Sequence, residues 1–258
     1  MFSINLENKT ILITGAASGI GLGIAAQMAK AGANVCGCDI SDDQSAFDEA
    51  IKVFNIKSLY LNCDVTKDNE LEHCVQQIIQ KFGSIDVLVS NAGANMFTGV
   101  ANTTDEGWQK NIELNLASHW KLSKLCKPYL EKNNGVIIII TSSHAYSTIP
   151  GCFPYNIAKT ALTGLVRSLA IEWGPHIRAV GIAPGFIDTP GNQKWFDSFD
   201  DAEKERQRTI DLHPVKKLGT TEEIGGWCVF LASEYAAFAS GATYLIDGGR
   251  SALMQDSN

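Results

Sequence analysis

The stretch Thr14-Gly15-Ala16-Ala17-Ser18-Gly19-Ile20-Gly21, TGAASGIG, decides the fold of this chain. It follows the short apolar run Thr10–Thr14 and leads into the helical pattern Gly19–Ala31. Glycines at this spacing allow a tight turn from a strand into a helix and let a ligand approach the backbone closely. The N-terminus of such a helix offers free N–H groups and a partial positive charge to a pyrophosphate. The stretch therefore predicts a strand-turn-helix unit that binds a dinucleotide.

The same alternation of strand and helix continues along the chain. The runs with strand character are Thr10–Thr14, Asn34–Asp39, Ser58–Cys63, Val87–Asn91, Val136–Thr141, Ala179–Ala183 and Thr243–Asp247. The helical patterns are Gly19–Ala31, Asp43–Val53, Asp68–Lys81, Asp105–Leu130, Tyr155–Trp173 and Thr221–Ala232. Such alternation predicts βαβ units, and thus an α/β domain whose parallel sheet is covered by helices on both faces.

An acidic residue, Asp39, ends the second predicted strand. A carboxylate at this position accepts hydrogen bonds from the adenosine ribose hydroxyls, and it repels a 2′-phosphate. No Arg or Lys lies in the glycine turn or directly after Asp39 to compensate for that repulsion. We therefore expect NAD rather than NADP as the cofactor. The alternative role for Asp39 is a helix N-cap, for which Ser41 or Asp42 is better placed.

Composition excludes several classes of protein. The 258 residues are 45% hydrophobic and 19% charged, which argues against disorder. Acidic residues outnumber basic ones by 28 to 21, so the net charge of −7 speaks against nucleic acid as a main partner. No apolar run reaches the roughly 18–20 residues of a membrane span, and the N-terminus lacks the apolar block of a signal peptide. We expect a cytoplasmic protein with no membrane or nucleic-acid partner.

The spacing of the cysteines and histidines predicts no metal site. The chain has seven cysteines and five histidines, with no CxxC, HxxxH or HExxH pattern. Cys36 and Cys38 alternate in an apolar run, as expected for one face of a strand. An odd number of scattered cysteines is typical of reduced thiols in a cytoplasmic core.

Tyr155 and Lys159 stand four residues apart, which places both side chains on one face of a helix. A phenol has a pKa of about 10, too high for a base at neutral pH. A cation about 4 Å away, at an effective dielectric of about 20, contributes roughly the 4 kcal/mol needed to lower that pKa by about three units. Lys159, helped by a positively charged nicotinamide, would make Tyr155 an acid/base group. A surface Tyr/Lys pair is the alternative reading.

Several motifs occur together in one order. They are Thr14–Gly21, Ser90-Asn91-Ala92-Gly93, Asn115, Ser142, Tyr155-x-x-x-Lys159, Pro184-Gly185 and Asp247-Gly248-Gly249. In these motifs the chain resembles the short-chain dehydrogenase/reductase family over essentially its whole length. The resemblance implies a single Rossmann-type domain over residues 1–258, doubly wound, with about seven parallel strands and helices on both faces.

The resemblance also implies roles for individual residues. Tyr155 matches the catalytic acid/base, and Lys159 matches the lysine that lowers the tyrosine pKa and holds the nicotinamide ribose. Ser142 matches the serine that hydrogen-bonds the reacting oxygen, and Asn115 matches the asparagine that holds a proton-relay water. The expected cofactor-binding residues are Gly15, Ser18, Gly19, Ile20, Gly21, Asp39, Ile40, Asp64, Val65, Asn91, Ala92, Gly93, Tyr155, Lys159, Pro184, Gly185, Ile187 and Thr189.

These residues predict an NAD-dependent oxidoreductase that interconverts a secondary alcohol and a ketone. The substrate residues are expected after the strand ends, and they are Asn95, Met96, Ser142, His144, Tyr146, Cys152, Phe186, Asn192, Trp195 and Phe196. Their mixture of polar groups favours a small hydroxylated molecule such as a sugar, a sugar acid or a polyol. Alternatives are a 3-oxoacyl-carrier reductase, a hydroxysteroid dehydrogenase, and, from another class, a non-catalytic NAD-sensing protein.

Two further expectations concern the C-terminal half and the assembly. The insertion at 190–218 predicts a substrate lid with Trp195 and Phe196 facing the substrate, although a solvated surface helix is the alternative. Arg250 could hold a substrate carboxylate in a neighbouring subunit's site, or simply face solvent. The helical patterns Asp105–Leu130 and Tyr155–Trp173 carry more apolar residues than one core face needs, which predicts a homotetramer. These residues are Trp108, Trp120, Leu162, Leu165 and Leu169.

Overall fold

Seven parallel strands form one sheet in the order β3-β2-β1-β4-β5-β6-β7. A computed structural model describes residues 3–253 of the chain. The strands are β1 Thr10–Thr14, β2 Asn34–Asp39, β3 Ser58–Asn62, β4 Val87–Ser90, β5 Val136–Ile140, β6 Arg178–Pro184 and β7 Thr243–Ile246. Every neighbouring pair is parallel, from Val35 beside Ser58 at one edge to Pro184 beside Ile246 at the other. The expected doubly wound parallel sheet is confirmed.

Helices connect the strands and cover the sheet. They are α1 Gly19–Lys30, α2 Ser45–Ile51, α3 Asp68–Phe82, α4 Asp105–Ile112, α5 Ser118–Lys132, α6 Tyr155–Trp173, α7 Pro190–Phe196, α8 Ala202–Asp211 and α9 Thr221–Ala232. None of the helices within residues 3–253 is long and apolar enough to cross a membrane.

The sheet separates two apolar cores. In β5 all five residues are buried, and their side chains alternate between the two sides. Ile138 packs with residues of α1 and α9, such as Ile24 and Ile224, whereas Ile137 packs with residues of α3, α5 and α6. This double burial explains why the strand reads as a continuous apolar run rather than an alternating one.

The long helix expected over Asp105–Leu130 is interrupted. A π-helical turn, Glu113–Ala117, separates α4 from α5. Side chains of this region are buried against other loops: Asn111 donates to the Pro154 carbonyl at 3.1 Å, and Asn115 donates to Asn111 Oδ1 at 2.9 Å. A π turn shifts the helix register by one residue, and such turns are frequent at functional sites.

Two of the positions expected to form subunit contacts lie in the core of the chain itself. Leu162 and Leu169 are buried among residues of α3 and α5, and Leu165 packs against the same core. Trp108 stacks on Phe153 with ring centres 5.6 Å apart. Trp108 and Trp120 stay 37% and 47% exposed. The three leucines therefore lie on the one face of α6 that packs on the core, and they do not indicate a second apolar face as the sequence analysis expected.

The strand order reverses between β1 and β4, because β2 and β3 lie on one side of β1 and β4 to β7 lie on the other. At such a reversal the connecting loops diverge and leave a crevice at the carboxyl ends of the strands. The glycine turn follows β1, and Asn91 follows β4. Topology thus brings the two motifs to the same crevice.

Candidate active site

The glycine turn is held against the end of β4. Gly15 has a φ of +69°, a value that favours glycine, and a Cβ at Gly21 would lie 1.9 Å from the Gly15 carbonyl oxygen. The Thr14 hydroxyl accepts from the backbone N–H groups of Asn91 and Ala92 at 2.9 and 2.8 Å. No side chain caps α1, since Ser18 makes no capping hydrogen bond. The N–H groups of its first turn are therefore free to bind an anionic group.

The Asp39 carboxylate is fixed at the end of β2 by two backbone donors. Its Oδ2 accepts from Ala17 N at 3.0 Å and its Oδ1 accepts from Ser41 N at 3.1 Å. The first of these bonds ties the carboxylate to the glycine turn. The helix α2 begins beyond Gln44, so Asp39 is not a helix cap.

The crevice is a cleft of about 1810 Å³ that runs from Asp39 to the region around Tyr155. Nearly all of the predicted site residues line it. Those residues are Gly15, Ser18, Gly19, Ile20, Asp39, Ile40, Asp64, Val65, Asn91, Ala92, Gly93, Asn95, Met96, Ser142, His144, Cys152, Tyr155, Lys159, Pro184, Gly185, Phe186, Ile187, Thr189, Asn192 and Trp195. A cleft of this size, with an uncapped helix N-terminus and the Asp39 carboxylate at one end, fits a nicotinamide dinucleotide.

Four predicted residues do not line the cleft. Gly21 lies under the turn, and Asn115 is fully buried behind the wall. Tyr146 was expected to contact substrate, but its hydroxyl donates to the Thr243 carbonyl at 3.1 Å. Phe196, 1% exposed, packs beneath Phe186 and Arg206 instead of facing the cleft. Local spacing could not show these orientations, because each depends on a contact distant in sequence.

Tyr155 begins α6 and is nearly buried in the wall of the cleft. Its ring packs edge-on against Phe97, with centroids 5.3 Å apart, and against His144 at 6.1 Å. Burial raises the pKa of Tyr155 to about 12, and a hydrogen bond with Ser142 opposes the rise. The hydroxyl of Ser142 also accepts from His144 N at 3.2 Å. Ser142 and Tyr155 thus place two hydroxyl groups where a substrate oxygen can meet both.

Lys159 is buried one turn after Tyr155. Its Nζ donates to the Ile140 carbonyl at 3.1 Å and lies 5.6 Å from the centre of the Tyr155 ring. Burial lowers the pKa of Lys159 to about 8. The expected lowering of the tyrosine pKa by Lys159 is not seen: burial raises the pKa of Tyr155, and the hydrogen bond with Ser142 opposes that rise only in part. A further positive charge in the cleft is required for that effect.

Asn115 connects the π turn to the loop after β4. Its Oδ1 accepts from Ala94 N at 3.0 Å, and its Nδ2 donates to the Ala94 carbonyl at 3.0 Å. A Cβ at Gly93 would lie 2.8 Å from Asn115 Oδ1 and 3.3 Å from Lys159 Nζ. Only a glycine therefore lets this loop pass so close to the side chains of Asn115 and Lys159. Asn115 holds the wall of the cleft in place.

The segment 190–218 forms α7 and α8 above the cleft. An ion pair of 2.6 Å between Arg206 on α8 and Asp188 anchors it to the loop after β6. Trp195 lines the cleft, is 41% exposed, and packs on Phe186 with ring centres 5.6 Å apart. Of the two aromatic residues expected to face the substrate, Trp195 lines the cleft and Phe196 does not.

Two arginines that the sequence did not assign to this chain's own cleft lie in its wall. They are Arg208 on α8 and Arg250 after β7. Arg208 is paired with Glu205 at 2.6 Å, whereas Arg250 makes no ion pair within residues 3–253. Burial and the charge of Arg208 lower the pKa of Arg250. Burial and the charge of Arg250 in turn lower the pKa of His144. Arg250 therefore brings a guanidinium without an ion-pair partner among the described residues to this end of the cleft, and the nearest opposing charge acting on it is that of Asp247.

Comparisons with known proteins agree with this geometry. Residues 15–251 match a family model described as enoyl-(acyl carrier protein) reductase. The human dehydrogenase/reductase SDR family member 4 is 36% identical over 251 residues, covering 95% of this chain and 88% of that protein. The aldohexose dehydrogenase of Thermoplasma acidophilum superimposes with a TM-score of 0.90 at 29% identity, covering 98% of each chain.

The L-sorbose reductase of Gluconobacter frateurii, solved with NADPH and L-sorbose, superimposes with a TM-score of 0.92 at 30% identity, covering 96% of this chain and 98% of that one. Members of this family use a nicotinamide cofactor, and the cleft has the shape and groups to hold one. With its glycine turn, its Ser142, Tyr155 and Lys159, and these similarities, the chain belongs to the short-chain dehydrogenase/reductase family of oxidoreductases.

Proposed function

We propose that the protein is an NAD-dependent dehydrogenase that interconverts a secondary alcohol and a ketone. The observation that carries the proposal is that Ser142, Tyr155 and Lys159 line the same cleft as Asp39 and the glycine turn. When bound, the oxidised nicotinamide supplies the acceptor for a hydride from the carbinol carbon. The preference for NAD is supported by the Asp39 carboxylate, which Ala17 N and Ser41 N fix at the end of β2, and by the lack of Arg or Lys in residues 40–44 that could balance a 2′-phosphate.

The chain's own groups move the proton. Tyr155 takes the proton of the substrate hydroxyl, and Ser142 donates a hydrogen bond to the same oxygen as its charge changes. Lys159 provides the cation nearest to the phenol and can bind ribose hydroxyls of the cofactor. Its pKa near 8 allows it to exchange a proton near neutral pH. Asn115 keeps the loop at Gly93 and Ala94 beside this group.

We propose a small hydroxylated substrate, namely a sugar, sugar acid or polyol. Asn95 and His144 supply polar groups on the substrate side of the cleft, and Trp195 supplies an apolar surface. Two similar structures are an aldohexose dehydrogenase and an L-sorbose reductase. Among these substrates the unpaired Arg250 favours an acid, because a guanidinium binds a carboxylate through two hydrogen bonds.

A homotetramer is proposed for the assembly. Two separate regions expose large apolar side chains. Trp120, Ile157 and Ile171 are 47%, 42% and 80% exposed on α5 and α6, and Trp227, Phe230 and Leu245 are 36–37% exposed on α9 and β7. Two different self-complementary faces generate a tetramer with two-fold symmetry axes. The seven cysteines are all free, which supports the proposal that the protein works in the reducing cytoplasm.

The test offers the purified chain NAD together with sugars, sugar acids, polyols, hydroxysteroids and 3-hydroxyacyl thioesters, and follows NADH absorbance. We expect turnover of a small hydroxylated substrate, with at least a ~100-fold loss in Tyr155→Phe and unchanged NADH binding. Tyr146→Phe is the matched control, because its hydroxyl bonds outside the cleft. Turnover of only steroids or thioesters would contradict the substrate class, and NAD binding without any turnover would support a sensing protein.

A further inference from the structure

Three thiols from three different elements meet beside the cleft. Cys38 lies in β2, Cys63 directly follows β3, and Cys74 lies in α3. Their Sγ atoms are all within 4.8 Å of one another, and the three residues are no more than 2% exposed. The thiols hydrogen-bond to one another. Their positions at 38, 63 and 74 form no recognisable ligand spacing, so the cluster exists only in the folded chain.

We propose that Cys38, Cys63 and Cys74 bind a soft divalent metal ion such as Zn²⁺. Sulfur donors select ions of this kind over Mg²⁺ or Ca²⁺. In a tetrahedral zinc site with Zn–S bonds of about 2.3 Å, the sulfurs lie about 3.8 Å apart. The three thiols therefore need to approach one another by at most about 1 Å. A disulfide would require a sulfur separation of about 2.05 Å, which is a much larger displacement.

Charge favours a divalent over a monovalent ion at this position. Binding releases three protons, according to Zn²⁺ + 3 RSH → Zn(SR)₃⁻ + 3 H⁺. The product carries one negative charge, whereas a monovalent ion in the same site would leave two. Because uncompensated charge in a buried site is costly, the smaller residual charge is preferred.

Access and the fourth ligand come from the cleft. Cys63 lines the cleft together with Asp64 and Val65. An ion can therefore enter from the cleft, and a water molecule there can complete four-coordination. The bound ion would join β2, the end of β3 and α3 around a loop that forms part of the cleft. The proposal does not rest on the dehydrogenase reaction proposed above, and its test uses the chain without dinucleotide.

The test uses the reduced, metal-free full chain. Cd²⁺ is titrated as a spectroscopic probe, and thiolate-to-cadmium absorbance, proton release and stoichiometry are recorded. We expect one ion per chain, about three protons released per ion, and at least a ~100-fold loss of affinity in Cys63→Ala. Cys36→Ala is the matched control, because Cys36 is a buried thiol of β2 that does not belong to the cluster of Cys38, Cys63 and Cys74. The affinity of Cys36→Ala for Cd²⁺ should match that of the unmodified chain.

Thermal unfolding with Zn²⁺ provides the second measurement. Because a ligand of the native state raises Tm, Zn²⁺ should raise the Tm of the unmodified chain and of Cys36→Ala but not of Cys63→Ala. If Cys63→Ala does not fold, Cys74→Ala takes its place, and proton release by the unmodified chain remains decisive. Absence of the cadmium absorbance, fewer than two protons per ion, or equal loss in Cys36→Ala would show that the thiols only pack as small apolar groups and would overturn the proposal.

Discussion

Removing the charge of Asp39 should change which dinucleotide the protein uses. In the unmodified chain, Ala17 N donates to Asp39 Oδ2 at 3.0 Å. Asp39→Asn keeps an oxygen that can accept this bond and removes the negative charge. A 2′-phosphate carries about −1.5 to −2 charges. At about 4 Å, each pair of unit charges repels by roughly 1 kcal/mol in bulk water and roughly 4 kcal/mol at an effective dielectric of 20. Asp39 borders an open cleft, so its effect lies between these limits.

Each 1.4 kcal/mol corresponds to about a tenfold change in preference. The unmodified chain should therefore favour NAD over NADP by at least about tenfold in kcat/KM, and Asp39→Asn should bring the ratio close to one. Adding Ile40→Arg should reverse it, because Ile40 is 72% exposed and a guanidinium there would lie beside the phosphate. High salt should reduce the preference of the unmodified chain.

The assay is initial-rate kinetics with both dinucleotides at one substrate concentration and two ionic strengths. Asp42→Asn serves as the control, since it removes an exposed charge from the same loop without lining the cleft. Equal use of NAD and NADP by the unmodified chain would refute the reasoning. So would an effect of Asp42→Asn as large as that of Asp39→Asn, because the loop charge in general would then be responsible.

Four other outcomes are expected. Lys159→Met should abolish turnover yet raise the free energy of unfolding by up to about 3 kcal/mol at pH 7. The reason is that the pKa of Lys159 is near 8 in the folded chain and 10.5 in the unfolded chain, so its charge destabilises the fold. Denaturant titrations should show the full gain below pH 8 and its loss as the pH rises toward 10.5. Arg250→Ala should raise KM for acidic substrates about 10- to 100-fold and leave neutral ones nearly unchanged, whereas equal effects would make it a surface residue. Trp195→Ala should raise substrate KM about tenfold without changing the Kd for NAD, and an unchanged KM would mean that α7 does not touch substrate. Light scattering should give four times the mass of one chain, and a mass near that of one chain would end the tetramer proposal.

The sequence alone was enough to predict the sheet and most of the cleft. Strands and helices leave patterns in neighbouring residues. For example, β5 is buried on both faces, and it therefore has five apolar residues in a row. Gly15 needs a positive φ that few other residues adopt, so the turn is visible in the residue types themselves. Tyr155 and Lys159 share a helix, and their spacing places them on one face.

Other features were decided only when distant segments came together. The Tyr146 hydroxyl donates to the Thr243 carbonyl, and Asn111, just before the π turn, donates to the Pro154 carbonyl. No local period predicts such contacts, because their partners come from other parts of the chain.

The charge and sulfur chemistry of the cleft also arise from tertiary structure. Arg250 reaches the wall of its own chain's cleft because β7 is the last strand of the sheet and ends beside β6. Cys38, Cys63 and Cys74 meet because β2 and β3 are adjacent and α3 packs across them. A sequence pattern records which side chains are available and which face each one takes on its own element. Which of them become neighbours depends on how the sheet orders its strands, and that order arises from packing the whole chain around two cores.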